Sequence, residues 1–334
     1  MQDRDRTRVL GRRLAALVLV LPVLGACGGE GEGAQPQISG STGVANPHPT
    51  QSAVESEPDG SDETGIDLGG EAWSAKFGFG GIWVQVDPPV DQMIKVDVET
   101  SEVVLEIDGG RGVAIGDDAV WIATGAEVLK IDPTSGHTLL RLDAPASYVA
   151  VGAGSVWVPT SGDLKRFDAE SGALLATIPV TSGVITDLAA TDTAVWLTSK
   201  DYGGLFRVDP ATNTVVTWFE TGSGAHGIVI AESGVWVTNY AENTVSRIDP
   251  ATNAVVATVE DVGSGVGIVA ADGAIWVSTQ SQGISRIDPA TNRATSVAEL
   301  PGWSYGIAYH EGALWVSNVA SKSLSKVTVP PAES

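Results

Sequence analysis

Seven tryptophans stand at nearly equal intervals: Trp83, Trp121, Trp157, Trp196, Trp236, Trp276 and Trp315. Each follows Ile, Val or Leu, and successive separations are 38, 36, 39, 40, 40 and 39 residues. A period of this size, held over seven units, marks a repeat architecture rather than a set of independent domains. The pattern inside the unit selects which one. In the unit around Trp236 the apolar runs are short, turn residues separate them, and no amphipathic stretch of helical length occurs. The runs read as strand A, Gly227–Ile230; strand B, Val235–Asn239; strand C, Thr244–Ile248; and strand D, Ala254–Val259. Four strands repeated seven times predict an all-β chain: a seven-bladed β-propeller of four-stranded antiparallel blades over 65–330.

Two features of the unit read as architecture. Asp249-Pro250-Ala251-Thr252-Asn253 joins strands C and D, and Asp209–Asn213 and Asp288–Asn292 repeat it. Proline pre-sets φ for a type I turn, the aspartate caps the following amides, and Asn253 tolerates a left-handed backbone. Gly136 and Gly172 take that last slot in the variants Asp132–Gly136 and Asp168–Gly172. The tryptophans alternate with small polar residues, as at Trp236 and Thr238. A large ring repeated in every blade fills the wedge between neighbouring sheets.

The ends of the array predict how it closes. The last unit has strand A at Gly306–Tyr309, strand B at Leu314–Asn318 and strand C at Ser323–Val327, then stops without a strand D. Before the first unit stands an orphan strand-like piece, Gly65-Ile66-Asp67-Leu68. It is expected to pair as the outer strand of the seventh blade and so to remove an open edge.

Residues 1–26 are not part of this pattern. Five arginines between Arg4 and Arg13 precede an apolar run, Leu14–Leu24, too short to span a bilayer. The run ends in Leu24-Gly25-Ala26-Cys27, which resembles a bacterial lipoprotein signal. That resemblance implies a lipidated Cys27 as first residue of the mature chain, and a cell-membrane anchor on the extracytoplasmic face. Cys27 is the only cysteine, so there is no disulfide framework. Residues 27–64 are rich in Gly, Ser, Glu and Pro and poor in large apolar residues, which predicts a disordered tether.

The net charge is −22. Removal of residues 1–26 takes away five arginines and two aspartates, leaving 14 basic and 39 acidic residues and a charge of −25. Phosphate backbones are repelled by such a surface, so nucleic acid is excluded as a partner.

Val235-Trp236-Val237-Thr238-Asn239-Tyr240, with Arg247–Asn253, resembles the YVTN-type propeller repeat. The same units are similar to the virginiamycin B lyase (streptogramin lyase) superfamily. The second resemblance implies magnesium, histidines from the blade tops and a glutamate close after a tryptophan strand. The position ten residues before each blade tryptophan gives a ring: Trp73, Arg111, Ser147, Thr186, His226, Val266 and Tyr305. It starts the strand nearest the axis, so these residues are expected around one mouth of the central channel. His226-Gly227 matches the first histidine of the family pattern. The sequence departs from it at Val266, where a second histidine is wanted, and at Thr279, where the glutamate is wanted. Positions three after each tryptophan carry no carboxylate. His48, His137 and His310 fall in the tether, a C–D turn and an A–B turn, out of reach of His226.

The residues thus predict a monomeric binding or scaffolding module with no cofactor and no confident catalytic set. Its site is expected on the face of the D–A and B–C loops. Trp73, Arg111, Ser147, Thr186, His226, Tyr305, Asn239 and Asn318 are the candidate ligand-binding residues. The expected partner is a small polar ligand or a cell-envelope protein. The alternative is a lyase or hydrolase of the streptogramin-lyase type, with magnesium and His226 as the candidate catalytic residue.

Overall fold

The computed structural model describes residues 64–181, 183–300 and 302–329. The expected signal peptide, Cys27, His48 and all of the expected tether except Thr64 lie outside the described residues. Among the described residues no helix is long and apolar enough to cross a membrane.

The described residues form twenty-eight strands in seven four-stranded antiparallel sheets, a seven-bladed β-propeller. Blade 5 is built from Ala225–Ala231, Gly234–Asn239, Thr244–Asp249 and Ala254–Val259, in that order across the sheet. The expected strands fall inside these bounds. Strand B is buried along its whole length, whereas strand D shows most of its side chains to solvent. That gradient runs from the packed interior of each blade to the rim.

Ring closure occurs as the ends of the array predict. Blade 7 takes Ser304–His310, Ala313–Asn318 and Ser323–Thr328 from the C-terminal part and Thr64–Asp67 from the N-terminal part. The N-terminal strand lies antiparallel on strand C, with Gly65 opposite Ser325 and Ile66 opposite Leu324. Leu68 continues the contact through its amide to the Lys322 carbonyl at 2.9 Å.

Every blade tryptophan is at most 2% exposed. Each ring packs into the next blade: Trp236 sits with Ile268, Ile275, Val277 and Ile287, and Trp315 with Ile82, Val84, Ile94 and Val96. Truncating one such ring to alanine costs roughly 3–5 kcal/mol. A cation from strand C lies over each ring. Lys95, Lys130, Arg166, Arg207, Arg247, Arg286 and Lys326 lie 4.9–5.8 Å from the ring centroids of their own blades. Register produces this pairing, since Trp236 stands directly across from Arg247.

Five of these cations, Lys95, Lys130, Arg166, Arg207 and Arg247, reach the C–D turn of the next blade. Arg247 donates to the Pro289 carbonyl at 2.8 Å and to Asn292 at 3.2 Å; Arg207 donates to Pro250 at 3.0 Å and Asn253 at 2.6 Å. The Asp-Pro turn is therefore a latch between blades as well as a turn. Its local geometry is as expected. Asp249 accepts the Ala251 amide at 2.8 Å, and Asn253 has φ of 56°. Gly136 and Gly172 both have φ of 73° in the equivalent slot.

Candidate functional site

The inner strands meet around a channel whose D–A and B–C end opens into a cavity of about 330 Å³. All seven ring residues of the repeat, Trp73, Arg111, Ser147, Thr186, His226, Val266 and Tyr305, line it. The structure thus brings together residues up to 232 positions apart, because the same position of every blade arrives at the same end of strand A.

The backbone of this ring is fixed by a second set of repeated residues. In blades 4 to 7 the hydroxyl two positions after the blade tryptophan bonds the inner strand of its own blade and the ring carbonyl of the next. Thr198 donates to the His226 carbonyl at 2.6 Å. Thr238 accepts the Gly227 amide at 2.9 Å and lies 3.3 Å from the Val266 carbonyl. Ser278 and Ser317 bond the carbonyls of Tyr305 and Trp73 in the same way. His226, Val266 and Tyr305 therefore project from a backbone tied on both sides.

Neighbouring inner strands approach so closely that the next position along is often glycine. A Cβ on Gly227 would fall 2.2 Å from the Val266 carbonyl oxygen, and one on Gly112 would fall 2.4 Å from that of Ser147. Around the ring this position reads Ser74, Gly112, Tyr148, Asp187, Gly227, Gly267 and Gly306. Ser74, Tyr148 and Asp187 depart from the pattern, and all three line the cavity; Ser74 is small, whereas Tyr148 and Asp187 are not. Strand A of blade 3 differs there too: it is the three residues Ala150–Gly152, beginning beyond Tyr148, whereas strand A of blade 4 shifts register between Ile185 and Asp187 as strands A of blades 1, 5, 6 and 7 do at the same level.

His226 and Tyr305 meet across blade 6, with the Tyr305 hydroxyl 2.9 Å from His226 Nε2 and the rings edge to face. Burial holds the His226 imidazole below its usual pKa; the Asp187 charge raises it against that trend, and Lys200 lowers it further. The ring is thus neutral near pH 7. In the tautomer protonated on Nδ1, Tyr305 donates to Nε2. Burial, then the Asp187 charge, pushes the Tyr148 phenol up to about 12. The Tyr305 phenol is also raised, by burial first and then by Tyr148 and Asp187. Asp187 accepts the amides of Leu188 at 2.8 Å and Ile228 at 3.2 Å. Trp73 completes the aromatic wall, edge-on to Tyr305 at 4.9 Å and to Trp303 on the rim at 5.4 Å. The Trp73 Nε1 is buried without a hydrogen-bond partner.

Several expected site residues are placed elsewhere. Asn239 and Asn318 do not reach the mouth. Both are fully buried between strands. Asn239 donates to Thr221, Thr244 and Ser246, and Asn318 to Ser323 and Ser325. Their position at the end of strand B points back into the sheet, where an amide satisfies backbone and hydroxyl groups at the strand end. Thr186 lines the cavity, but its hydroxyl donates to the Ala225 carbonyl at 2.8 Å, a bond between blades. Arg111 lies along its own B–C turn, close enough that a Cβ on Gly125 would meet its Nε at 3.1 Å. His310 stacks on Phe77 at the end of strand A, away from His226.

The donor set at the mouth does not fit magnesium, which favours several oxygen ligands in near-octahedral order. Asp187 already accepts two amides and His226 is bonded to Tyr305. Asp87, the other carboxylate lining the cavity, accepts from Gln85 at 2.9 Å. Among the described residues the group of His and carboxylate atoms that converge within 4.8 Å is Glu99, His310 and Glu311, which is not part of the cavity lining.

The sequence matches no family model, and no curated protein matches it. Its fold is shared with solved propellers. Virginiamycin B lyase from Staphylococcus aureus superposes with a TM-score of 0.69 at 14% identity, covering 80% of this chain and 99% of that chain. A catalytically inactive histidine-to-alanine variant of that enzyme, crystallised with quinupristin, gives 0.68 at 14% identity, covering 80% and 99%. The β-propeller domain of Cps50 (Swd1) from Myceliophteria thermophila gives 0.67 at 13% identity, covering 80% and 98%. At such identities the likeness is one of fold.

Proposed function

We propose that this protein is a lipid-anchored, extracytoplasmic binding module that takes a small polar ligand into the channel-mouth cavity. The observation that carries the reading is the break in the glycine ring. Where four blades place glycine, Tyr148 and Asp187 bring side chains into the cavity beside the His226–Tyr305 pair. A packing role alone asks for small residues at that closely approached position. Concave walls of apolar and aromatic side chains with a few converging polar groups are the usual form of a ligand site. The test is a ligand-observed NMR screen of the full-length mature protein with small polar fragments. Fragments that bind wild type are expected to lose binding in Tyr148→Leu. If no fragment binds, or if the variant binds as well, the reading fails.

The anchor rests on Leu24-Gly25-Ala26-Cys27. Expressed in bacterial cells, the protein is expected in the detergent phase of a cloud-point partition. Cys27→Ser is expected in the aqueous phase, and equal partition of the two would remove the anchor.

A second reading is favoured by the neutral imidazole of His226 in a fold shared with virginiamycin B lyase. As a general base it would take a proton next to a carbonyl in an elimination. Incubation with quinupristin, followed by mass spectrometry, separates the two readings. The binding module leaves the depsipeptide intact. The lyase opens it, and His226→Ala abolishes that opening.

A further inference from the structure

The charge and the ring faces of the cavity point to the chemistry of its ligand. We propose that the channel mouth binds an alkylated ammonium group, held by Asp187 among the rings of Tyr148, Tyr305 and Trp73. The proposal rests on the cavity being a ligand site.

Asp187 carries the argument. It stands at a position that is glycine in four other blades, and it lines the cavity between His226 on one side and Tyr148 on the other. Among the described residues no lysine or arginine forms an ion pair with it; the ion pairs they form elsewhere are Lys130–Asp118 and Arg141–Glu127. The two cations that line the cavity, Lys76 and Arg111, belong to blades 1 and 2, and Arg111 lies along its own turn; Lys200, near enough to act on His226, sits over the Tyr240 ring at 5.4 Å. His226 adds no positive charge, because burial keeps it neutral. Asp187 is half-buried and has no ion-pair partner among the described lysines and arginines, which leaves its charge open to a cation that arrives from outside.

The rings narrow the kind of cation. Tyr305 and Trp73 stand edge to face at 4.9 Å, Trp303 extends that wall to the rim, and Tyr148 faces the mouth from blade 3. Ring faces attract cations that shed water easily. A primary ammonium needs three acceptors for its N–H groups. Asp187 already accepts two amides, and the Tyr305 hydroxyl is engaged with His226. Methyl or methylene groups on nitrogen need no acceptors and pack against the rings. A cavity of about 330 Å³ is at the small end for ligand sites, suited to a compact head group.

The test uses three probes on the full-length mature protein: choline, its neutral carbon isostere 3,3-dimethylbutan-1-ol, and ethanolamine. Saturation-transfer NMR with titration gives the dissociation constants. Choline is expected to bind at least about tenfold more tightly than the isostere and ethanolamine, a gap of about 1.4 kcal/mol. Asp187→Asn is expected to lose that preference for choline while binding the isostere unchanged. Tyr148→Phe, which keeps the ring, is expected to behave as wild type. Tyr148→Leu is expected to weaken choline several-fold. Circular dichroism and thermal melts establish that each variant folds; if Asp187→Asn does not, the comparison of choline with its isostere on the wild-type protein, together with Tyr148→Leu, carries the test. Equal affinity for choline and its isostere overturns the ammonium assignment, as does an absence of choline binding. Preference for ethanolamine overturns the alkylated part. If neutral or anionic fragments bind and depend on Tyr148 while choline does not bind, the cavity reading stands and the ammonium falls. If nothing binds, both fall.

Discussion

His226 shows how one residue changes meaning with its surroundings. In the sequence it is one histidine at a repeat position. In the structure it is a buried neutral ring tied to Tyr305 and close to the Asp187 charge. The sign of its pH effect follows. Its folded-state pKa lies below the ordinary imidazole value of 6.5, so the unfolded chain takes up the proton first as pH falls. The contribution is fully favourable above about 6.5 and is lost as pH falls toward the folded value. Urea unfolding at pH 7.5 and pH 5 is expected to show a larger loss for wild type than for His226→Gln, which keeps an acceptor for Tyr305 but does not titrate. An equal loss in both would mean that His226 is not held neutral by the fold. The seven ring residues were readable from spacing alone, since equal positions in equal blades share one radius. Tyr148 and Asp187 were readable by the same device one position further on. The signal was the interruption of Gly112, Gly227, Gly267 and Gly306, and it becomes visible as a signal only once the close approach of neighbouring strands explains the glycines.

At the scale of the element, the Asp-Pro-Ala-Thr-Asn turn does two things. Its aspartate and asparagine satisfy the local turn, and its proline carbonyl and asparagine side chain receive the cation from the preceding blade. The local half follows from residue chemistry. The second half needs the neighbouring blade, so Arg207 and Arg247 read in the sequence only as the ends of strand C. Asn253 separates the two contributions. Asn253→Gly keeps the left-handed backbone and removes the acceptor for Arg207, with an expected cost of about 1–2 kcal/mol. Asn253→Ala removes the acceptor and also strains a φ of 56°, adding about 1 kcal/mol. Urea denaturation is expected to rank wild type above glycine above alanine. If glycine matches wild type, the latch contributes nothing. Asn239 and Asn318 err in the opposite direction. Their place three residues after a tryptophan puts them at the right end of the blade, but strand alternation turns their side chains into the sheet.

For the whole molecule, closure is the decisive event. An open array of blades leaves strand C of the last blade as an unpaired edge. Thr64–Asp67 covers it, and Ile66 and Leu68 pack on the core of blades 1 and 7. A chain beginning at Gly70 is expected to lose at least about 3 kcal/mol relative to one beginning at Pro58 and to self-associate through the exposed edge. Thermal melts and size-exclusion chromatography check this. A monomer of unchanged stability would mean that the N-terminal strand is dispensable.

The repeat by itself determined the number of blades, the strands within each, the turn chemistry, the closing strand and the radius at which seven candidate residues meet. These follow from local periodicity and from the requirement that a repeated unit bury the same face each time. The tertiary structure alone decided which of those residues present chemistry. Thr186, Asn239 and Asn318 use their polar groups on backbone or neighbouring side chains, Arg111 follows its own turn, and Tyr148 and Asp187 enter the cavity. The physical reason is that side-chain direction and free hydrogen-bonding capacity at a blade interface depend on the adjoining blade, some 39 residues away in the chain, and a single unit does not encode its neighbour's departures.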